Sequence, residues 1–266
     1  MNFIFTFQIF LQLFSNKSCF FFIFADMQVK TRAIVLHTFK YGETQMITEM
    51  LTAECGRISC ITRLPSRRGG KIKKQYFQTL SILDVVLDIN KRSNLHRISE
   101  ASPVYAFTSI PFNPVKMSIT MFVAEFIRNA ARMEQSDAPT FDYIANSIMW
   151  LDGCEGHFAN FHLVFMMRMS IFLGFYPNLE DYRNGDWFDM RTGCFCGSMP
   201  LHHDRLNPDE AARMGTLLRM SFATMHLFKM SRDERNRMVE LIMKYYRAHI
   251  PGFPDLRSHD ILKELF

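Results

Sequence analysis

Two hydrophobic periods divide the chain. Between residues 28 and 102 apolar and polar positions alternate in short runs, the period of a strand with one buried face. RAIVLHTF (32–39), TQMITEMLT (44–52), RISCITRL (57–64), FQTLSILDVVLDI (77–89) and LHRISEA (95–101) read as five strands. Tyr41-Gly42-Glu43, Ala53 to Gly56, a basic stretch and NKRSN (90–94) separate them. Gly56 is placed to supply the positive φ of a hairpin turn. Five short strands in about 75 residues, nearly all antiparallel neighbours, predict a closed five-stranded barrel of the OB type. Closure also removes the edges that such strands would expose.

After Pro103, Pro111 and Pro114 the period lengthens to that of a helix. Val115, Ile119, Phe122, Phe126 and Ala130 share one face of a helix over 115–133. Phe158, Phe161, Phe165, Met169 and Phe172 do so over 157–173, with Gly174 and Pro177 beyond its end. Met238, Leu241, Ile242 and Tyr245 repeat the pattern over 231–249, where Ser231 and Glu234 form a capping box. Asn207-Pro208 opens a further helix over 209–220. The expected fold class is α+β: an OB-fold domain over 27–102, then an all-α domain over 103–266 with a loop-rich insert at about 178–207.

The first 26 residues follow neither period. They hold nine of the chain's 27 Phe. No Lys or Arg precedes Lys17 and no A-x-A site follows, so a signal peptide is poorly supported. SNKS (15–18) splits the apolar run below the ~20 residues of a spanning helix. The reading favoured is that Met27 is the natural start and 1–26 is upstream sequence read through; the alternative is an anchor that would make this a membrane-anchored interaction protein.

Composition is globular, with 48% hydrophobic and 21% charged residues. Cys19, Cys55, Cys60, Cys154, Cys194 and Cys196 are scattered, without the regularity of a disulfide framework, and point to a reducing cytoplasm. Charge is uneven: residues 28–102 carry 13 Lys and Arg against 6 Asp and Glu, whereas 103–266 carry 17 against 19. The basic excess centres on RLPSRRGGKIKK (63–74). From Glu54 to Asp84 run Arg57, Arg63, Arg67, Arg68, Lys71, Lys73 and Lys74 with no acid among them. Such a run can be a solvated loop. Its density, the pliant Gly69-Gly70 and the adjacent Tyr76, on which a base can stack, favour a polyanion ligand held through its phosphates. Binding of that kind carries little sequence information.

Catalytic patterns are weak. G-x-S-x-G, GxxxxGK[ST] and GxGxxG are missing from the sequence, and Glu180-Asp181 and Asp209-Glu210 read as solvated. Cys194, Cys196, His202 and His203 are zinc-competent types, but C-x-C with adjacent histidines is poor ligand spacing. No cofactor is therefore expected. A metal-dependent nucleic-acid hydrolase built on those four residues is the enzymatic alternative.

The run TRAIVLHTFKYGETQMITEMLTAECGRISCITRLPSRR (31–68) resembles the start of the RecO family, bacterial recombination mediators of the RecFOR pathway. The shared pattern is Ile34-Val35-Leu36, the turn Tyr41-Gly42-Glu43, Thr52 to Gly56, and the basic segment Arg63 to Lys74. FHLVFMMRMSIFLGFYPNL (161–179) is similar to the family's long helix ending in Gly-Phe-x-Pro. The resemblance implies an OB fold followed by a helical domain. It implies a non-enzymatic DNA repair protein, nucleoid-associated and not membrane-bound. Such a protein binds single- and double-stranded DNA, anneals complementary strands, and helps load recombinase. Its implied partners are RecR and the acidic C-terminal tail of single-strand-binding protein. Some members carry a four-cysteine zinc site after that helix. Here only Cys194 and Cys196 fall in that region, which argues for loss of the site.

Reversing Arg67, Arg68 and Lys71 to Glu together is expected to weaken DNA binding and flatten its salt dependence, by about 0.7 in the log–log slope for each lost phosphate contact on single strands. A titration series showing unchanged affinity and slope would remove this loop from the interface.

Overall fold

The computed structural model describes residues 27–63, 72–89, 93–131, 135–180 and 182–265. Residues 1–26 and the segment holding Arg67, Arg68 and Lys71 lie outside these. Five strands, β1 (Met27–Tyr41), β2 (Gln45–Thr52), β3 (Gly56–Arg63), β4 (Ile82–Ile89) and β5 (Leu95–Pro103), close into a barrel in the order β1-β2-β3-β5-β4. The pairs are antiparallel except β3 with β5, which run parallel and close the sheet. Gly56 turns β2 into β3 with φ of 68°. The fold is α+β, with helices following the barrel.

β1 is shared between two cores. Ala33 and Val35 point into the barrel with Met46, Met50, Leu83, Val85, Leu87 and Ile98. Ile34 and Leu36 point outward into the core of the helical part. The unbroken apolar run 33–36 is thereby explained, since both faces of the strand are covered. Leu36 is the extra residue of a β-bulge: Val35 pairs with Met50 and His37 with Glu49. Beyond it the alternation inverts. Thr38 turns inward to bond the buried Thr48 hydroxyl (3.3 Å), and His37, Phe39 and Tyr41 turn outward.

The expected strand over 77–89 begins only at Ile82. Lys74–Phe77 form a 3-10 turn whose Phe77 plugs the barrel, and Leu80 adopts a left-handed φ of 62°. That conformation costs about 1–3 kcal/mol. It is offset by burial of Leu80 in the helical core and by two backbone bonds, Leu80 N–H to Val35 O (2.7 Å) and Val35 N–H to Ser81 O (3.0 Å). These bonds also occupy backbone groups beside the bulge.

The helices are α1 (Pro114–Ala130), α2 (Ala138–Gly153), α3 (Phe161–Phe172), α4 (Pro208–Arg219), α5 (Arg232–His249) and α6 (Arg257–Leu265). Side chains from Phe161 to Met167, His162 included, are all buried, so α3 is the central helix, covered on every side. It begins at Phe161, later than its pattern suggested, after a left-handed His157 with φ of 61°. The Ser231/Glu234 capping box opens α5 as read from the sequence, and α4 opens at Asn207-Pro208 as expected, where the structure adds a second capping box between Asn207 and Glu210. The expected loop-rich insert contains a small sheet: β6 (Trp187–Asp189) lies between β7 (Cys194–Cys196) and β8 (Arg205–Leu206). Phe188, Phe195 and Leu206 anchor it in the helical core. α2 and α6 escaped the periodicity reading. α6 depends on tertiary help: Glu125 of α1 accepts from Arg257 N–H (3.1 Å), Ser258 N–H (2.8 Å) and the Ser258 hydroxyl. No helix among the described residues is long and apolar enough to cross a membrane.

Residues 104–113 connect barrel to helices and are held by one buried carboxylate. Asp152 of α2 accepts from the N–H groups of Thr108 (2.8 Å), Ser109 (2.9 Å) and Ile110 (2.8 Å) and from the Tyr105 hydroxyl (3.1 Å). The buried Lys116 ammonium donates to the Ser109 hydroxyl (2.7 Å) and to the carbonyls of Asp152 (3.0 Å) and Cys154. Burial pushes the Asp152 carboxyl up, but the converging N–H donors of Thr108, Ile110 and Ser109 outweigh it and hold the group at about 2. A carboxyl depressed in the folded state adds stability above its unfolded value, and that stability is lost as pH falls through the folded value. Asp152→Ala is therefore expected to cost about 3–5 kcal/mol in urea unfolding near neutral pH. The variant should also lack the part of the acid loss, between about pH 4 and 2, that Asp152 contributes.

Candidate nucleic-acid interface

The inverted stretch of β1 builds the most distinctive surface of the barrel. Three cross-strand rows lie on its outer face: Tyr41–Gln45–Arg63, Phe39–Ile47–Ile61 and His37–Glu49–Ser59. Arg97 of β5 extends the middle row beside Ile61. Phe39 is 45% exposed and Tyr41 53%, unusual for aromatics on a well-packed strand. The His37 and Phe39 rings lie 5.8 Å apart, tilted 34°. Arg63 and Arg97 are exposed and make no ion pair among the described residues. Exposed ring faces bordered by unpaired guanidiniums suit stacked bases with phosphates alongside, on the face where OB folds take oligonucleotides.

The seven cations and the tyrosine singled out from the sequence separate into groups. Arg63 ends β3 at the edge of this face. Lys73 and Lys74 are exposed at the start of the 3-10 turn. Arg67, Arg68 and Lys71 lie outside the described residues. Arg57 is engaged, although no acid lies within the run itself. Its guanidinium pairs with Glu49 and donates to the Arg128 carbonyl, while Arg128 Nε donates to the other Glu49 oxygen (2.9 Å). Glu49 precedes Arg57 by eight residues, outside the acid-free run, but sits one diagonal step from it across the β2–β3 ladder. Arg57 thus serves the joint between barrel and α1, where a cation also suits the carbonyl end of the helix. Tyr76 is half-buried against the barrel core, and the Lys73 ammonium sits 5.7 Å from its ring centre. Its ring is already partly used.

Sequence reading missed Phe39, Tyr41 and Arg97. Continuing the alternation from Ala33 and Val35 sends Phe39 and Tyr41 into the barrel. Only the bulge turns them out, and HTFKY (37–41) carries no local mark of it. His37 contributes a neutral ring: burial, then the nearby Arg128, lowers its pKa, against a smaller opposing pull from Glu49.

The zinc-competent residues do not converge. Cys194 and Cys196 flank the inward Phe195 on β7, and their thiols donate to the carbonyls of Thr192 (3.5 Å) and Trp187 (3.8 Å). His202 Nε2 contacts Asp189 at 3.2 Å, and His203 is exposed. Burial, with Asp189 and Asp186, raises the Cys196 thiol. Among the described residues no three His, Cys, Asp or Glu side chains gather to hold an ion. Among the described residues these four side chains therefore do not fit a zinc site.

Glu49→Ala should separate the two duties of this surface. It removes the counter-charge of two partly buried guanidiniums, so unfolding free energy is expected to fall by about 1–3 kcal/mol. It also releases two cations beside the outer face, so affinity for a polyanion should rise, as seen in parallel denaturation and binding titrations.

Comparison with known proteins agrees with this architecture. The family model described as recombination protein O, N terminal, matches residues 27–107, and the C-terminal model matches 111–258. The chain is 50% identical over 240 residues to the DNA repair protein RecO of Phocaeicola vulgatus, covering 90% of this chain and 100% of that protein. It is 48% identical over 241 residues to DNA repair protein RecO of Bacteroides fragilis, with the same coverage. To the protein of that name from Porphyromonas gingivalis it is 33% identical over 244 residues, again 90% and 100%. With barrel, helices and both family models in register along one chain, this protein belongs to the RecO family of recombination and DNA repair proteins.

Proposed function

We propose that this protein binds single-stranded DNA across the outer face of β1, β2, β3 and β5 and anneals complementary strands. The observation that carries the reading is the exposed pair Phe39 and Tyr41 bordered by Arg63 and Arg97. In the sequence the basic segment 64–74 follows directly on Arg63, the last residue of β3. Rings hold bases by stacking, which tolerates any sequence. Arg63, Arg97, Lys73 and Lys74, with Arg67, Arg68 and Lys71, neutralise phosphates and double-stranded DNA engages the same cations. Neutralisation lets two polyanions approach, and base pairing itself then reads the sequence. No bond is made or broken, so the activity calls for no catalytic residue, cofactor or metal.

Within the RecFOR pathway the proposed role is to load recombinase on DNA coated with single-strand-binding protein. RecR and the acidic tail of single-strand-binding protein are the proposed partners, at the nucleoid in the cytoplasm. Strand annealing by the full chain, with and without single-strand-binding protein, tests this role.

Phe39→Ala with Tyr41→Ala is expected to lower single-strand affinity by tenfold or more, since each stacked base contributes about 1–3 kcal/mol. The salt slope should stay the same, because no phosphate contact is touched. Arg63→Glu with Arg97→Glu should instead flatten that slope by about 1.4. If the aromatic pair leaves affinity unchanged, the face assignment is wrong.

A further inference from the structure

A cleft of about 540 Å³ opens between the barrel and α1, at the end of the aromatic stripe. Its walls are Phe107, Met117 and Met121, and its rim carries His37, Gln78 and Thr79. Among the described residues no Asp, Glu, Lys or Arg lines it. Met121 is 46% exposed although it belongs to a helix with a well-buried opposite face. The volume is that of a site for a small organic group rather than a packing gap.

Three features narrow the occupant. First, the lining is neutral. An acidic peptide or a phosphate gains nothing from it, whereas an uncharged planar ring gains apolar contact on both faces. Second, the rim is polar in the right way. Gln78 and Thr79 are exposed, with no side-chain hydrogen bond among the described residues, so an amide and a hydroxyl are available for the edge of a heterocycle. Third, the cleft continues the stripe. Tyr41, Phe39 and His37 occupy alternate positions of one strand, about 6–7 Å per step along the backbone, and His37 is both the last ring of the stripe and part of the cleft rim.

We propose that this cleft is a nucleobase pocket: a strand stacked along Tyr41, Phe39 and His37 delivers its next base, splayed from the stack, between Met121, Met117 and Phe107, where Gln78 and Thr79 meet the base edge. The proposal rests on the stacking face described under Proposed function. Its consequence is that barrel and helical part grip one strand together, with the bulge at Leu36 setting the direction of approach.

The test is fluorescence anisotropy of the full chain with labelled oligo-dT carrying a single abasic site, walked along the strand. The variants are Met121→Trp, which fills the cleft from an exposed position, and Gln78→Ala, which keeps the fold by changing one exposed side chain. In the native chain two clusters of abasic positions should each cost about fivefold or more: those on the stripe and one beyond it. Phe39→Ala with Tyr41→Ala should erase the first penalty. Met121→Trp should erase the second, weaken the intact oligonucleotide about fivefold, and leave the first in place. Gln78→Ala should reduce the second penalty with unchanged thermal unfolding. If both cleft variants leave every abasic penalty as in the native chain, the pocket is refuted while the stacking face stands. The same result is expected if the cleft serves an apolar peptide. If the native chain shows no penalty at any position, the face and the pocket fall together.

Discussion

The architecture depends on one strand having to satisfy two cores. Ala33 and Val35 fill the barrel, and Ile34 and Leu36 fill the helical part, so neither core is complete without β1. A strand buried on both faces cannot also present a ligand surface. The bulge at Leu36 resolves this conflict by ending the double burial and inverting the faces from His37 onward. The left-handed Leu80 and its bonds to Val35 belong to the same solution, because they occupy the backbone groups beside the bulge.

Around that strand, charges divide by purpose. Cations that join the two parts are paired: Arg57 and Arg128 on Glu49, and Arg32 on Asp142 at 3.0 Å. Cations that meet no acid among the described residues, Arg63, Arg97, Lys73 and Lys74, lie toward the outer face and the 3-10 turn. A charge run in sequence is therefore not one functional unit. Across a β-ladder each residue meets partners from another strand, and that neighbour decides whether a guanidinium is structural or free. The buried Asp152–Lys116 arrangement acts differently, fixing the connecting segment by satisfying its backbone N–H groups rather than by surface attraction.

The insert after α3 shows the same logic. Its sequence offers cysteines and histidines, but what organises it is apolar: Phe188, Phe195 and Leu206 are buried and pull three short strands together. With Phe195 directed inward, Cys194 and Cys196 are carried to the other side, where each bonds a nearby carbonyl.

The sequence by itself determined the barrel, most strand limits, four of the helices and the location of the basic excess. Period, capping boxes and turn glycines are local properties, and the physics that reads them acts over a few residues. The C-terminal helix opened by Glu125 was not legible, since its cap comes from 132 residues away. Nor was the true start of β4, where burial of Leu80 overrides an extended pattern. The candidate site was legible as charge but not as geometry. Tertiary structure alone decided that Phe39 and Tyr41 face outward, that Arg57 is engaged by Glu49, and that a neutral cleft opens beside them. Each of these follows from which segments pack together, and a bulge of one residue was enough to reverse the face that the alternation of the sequence implied.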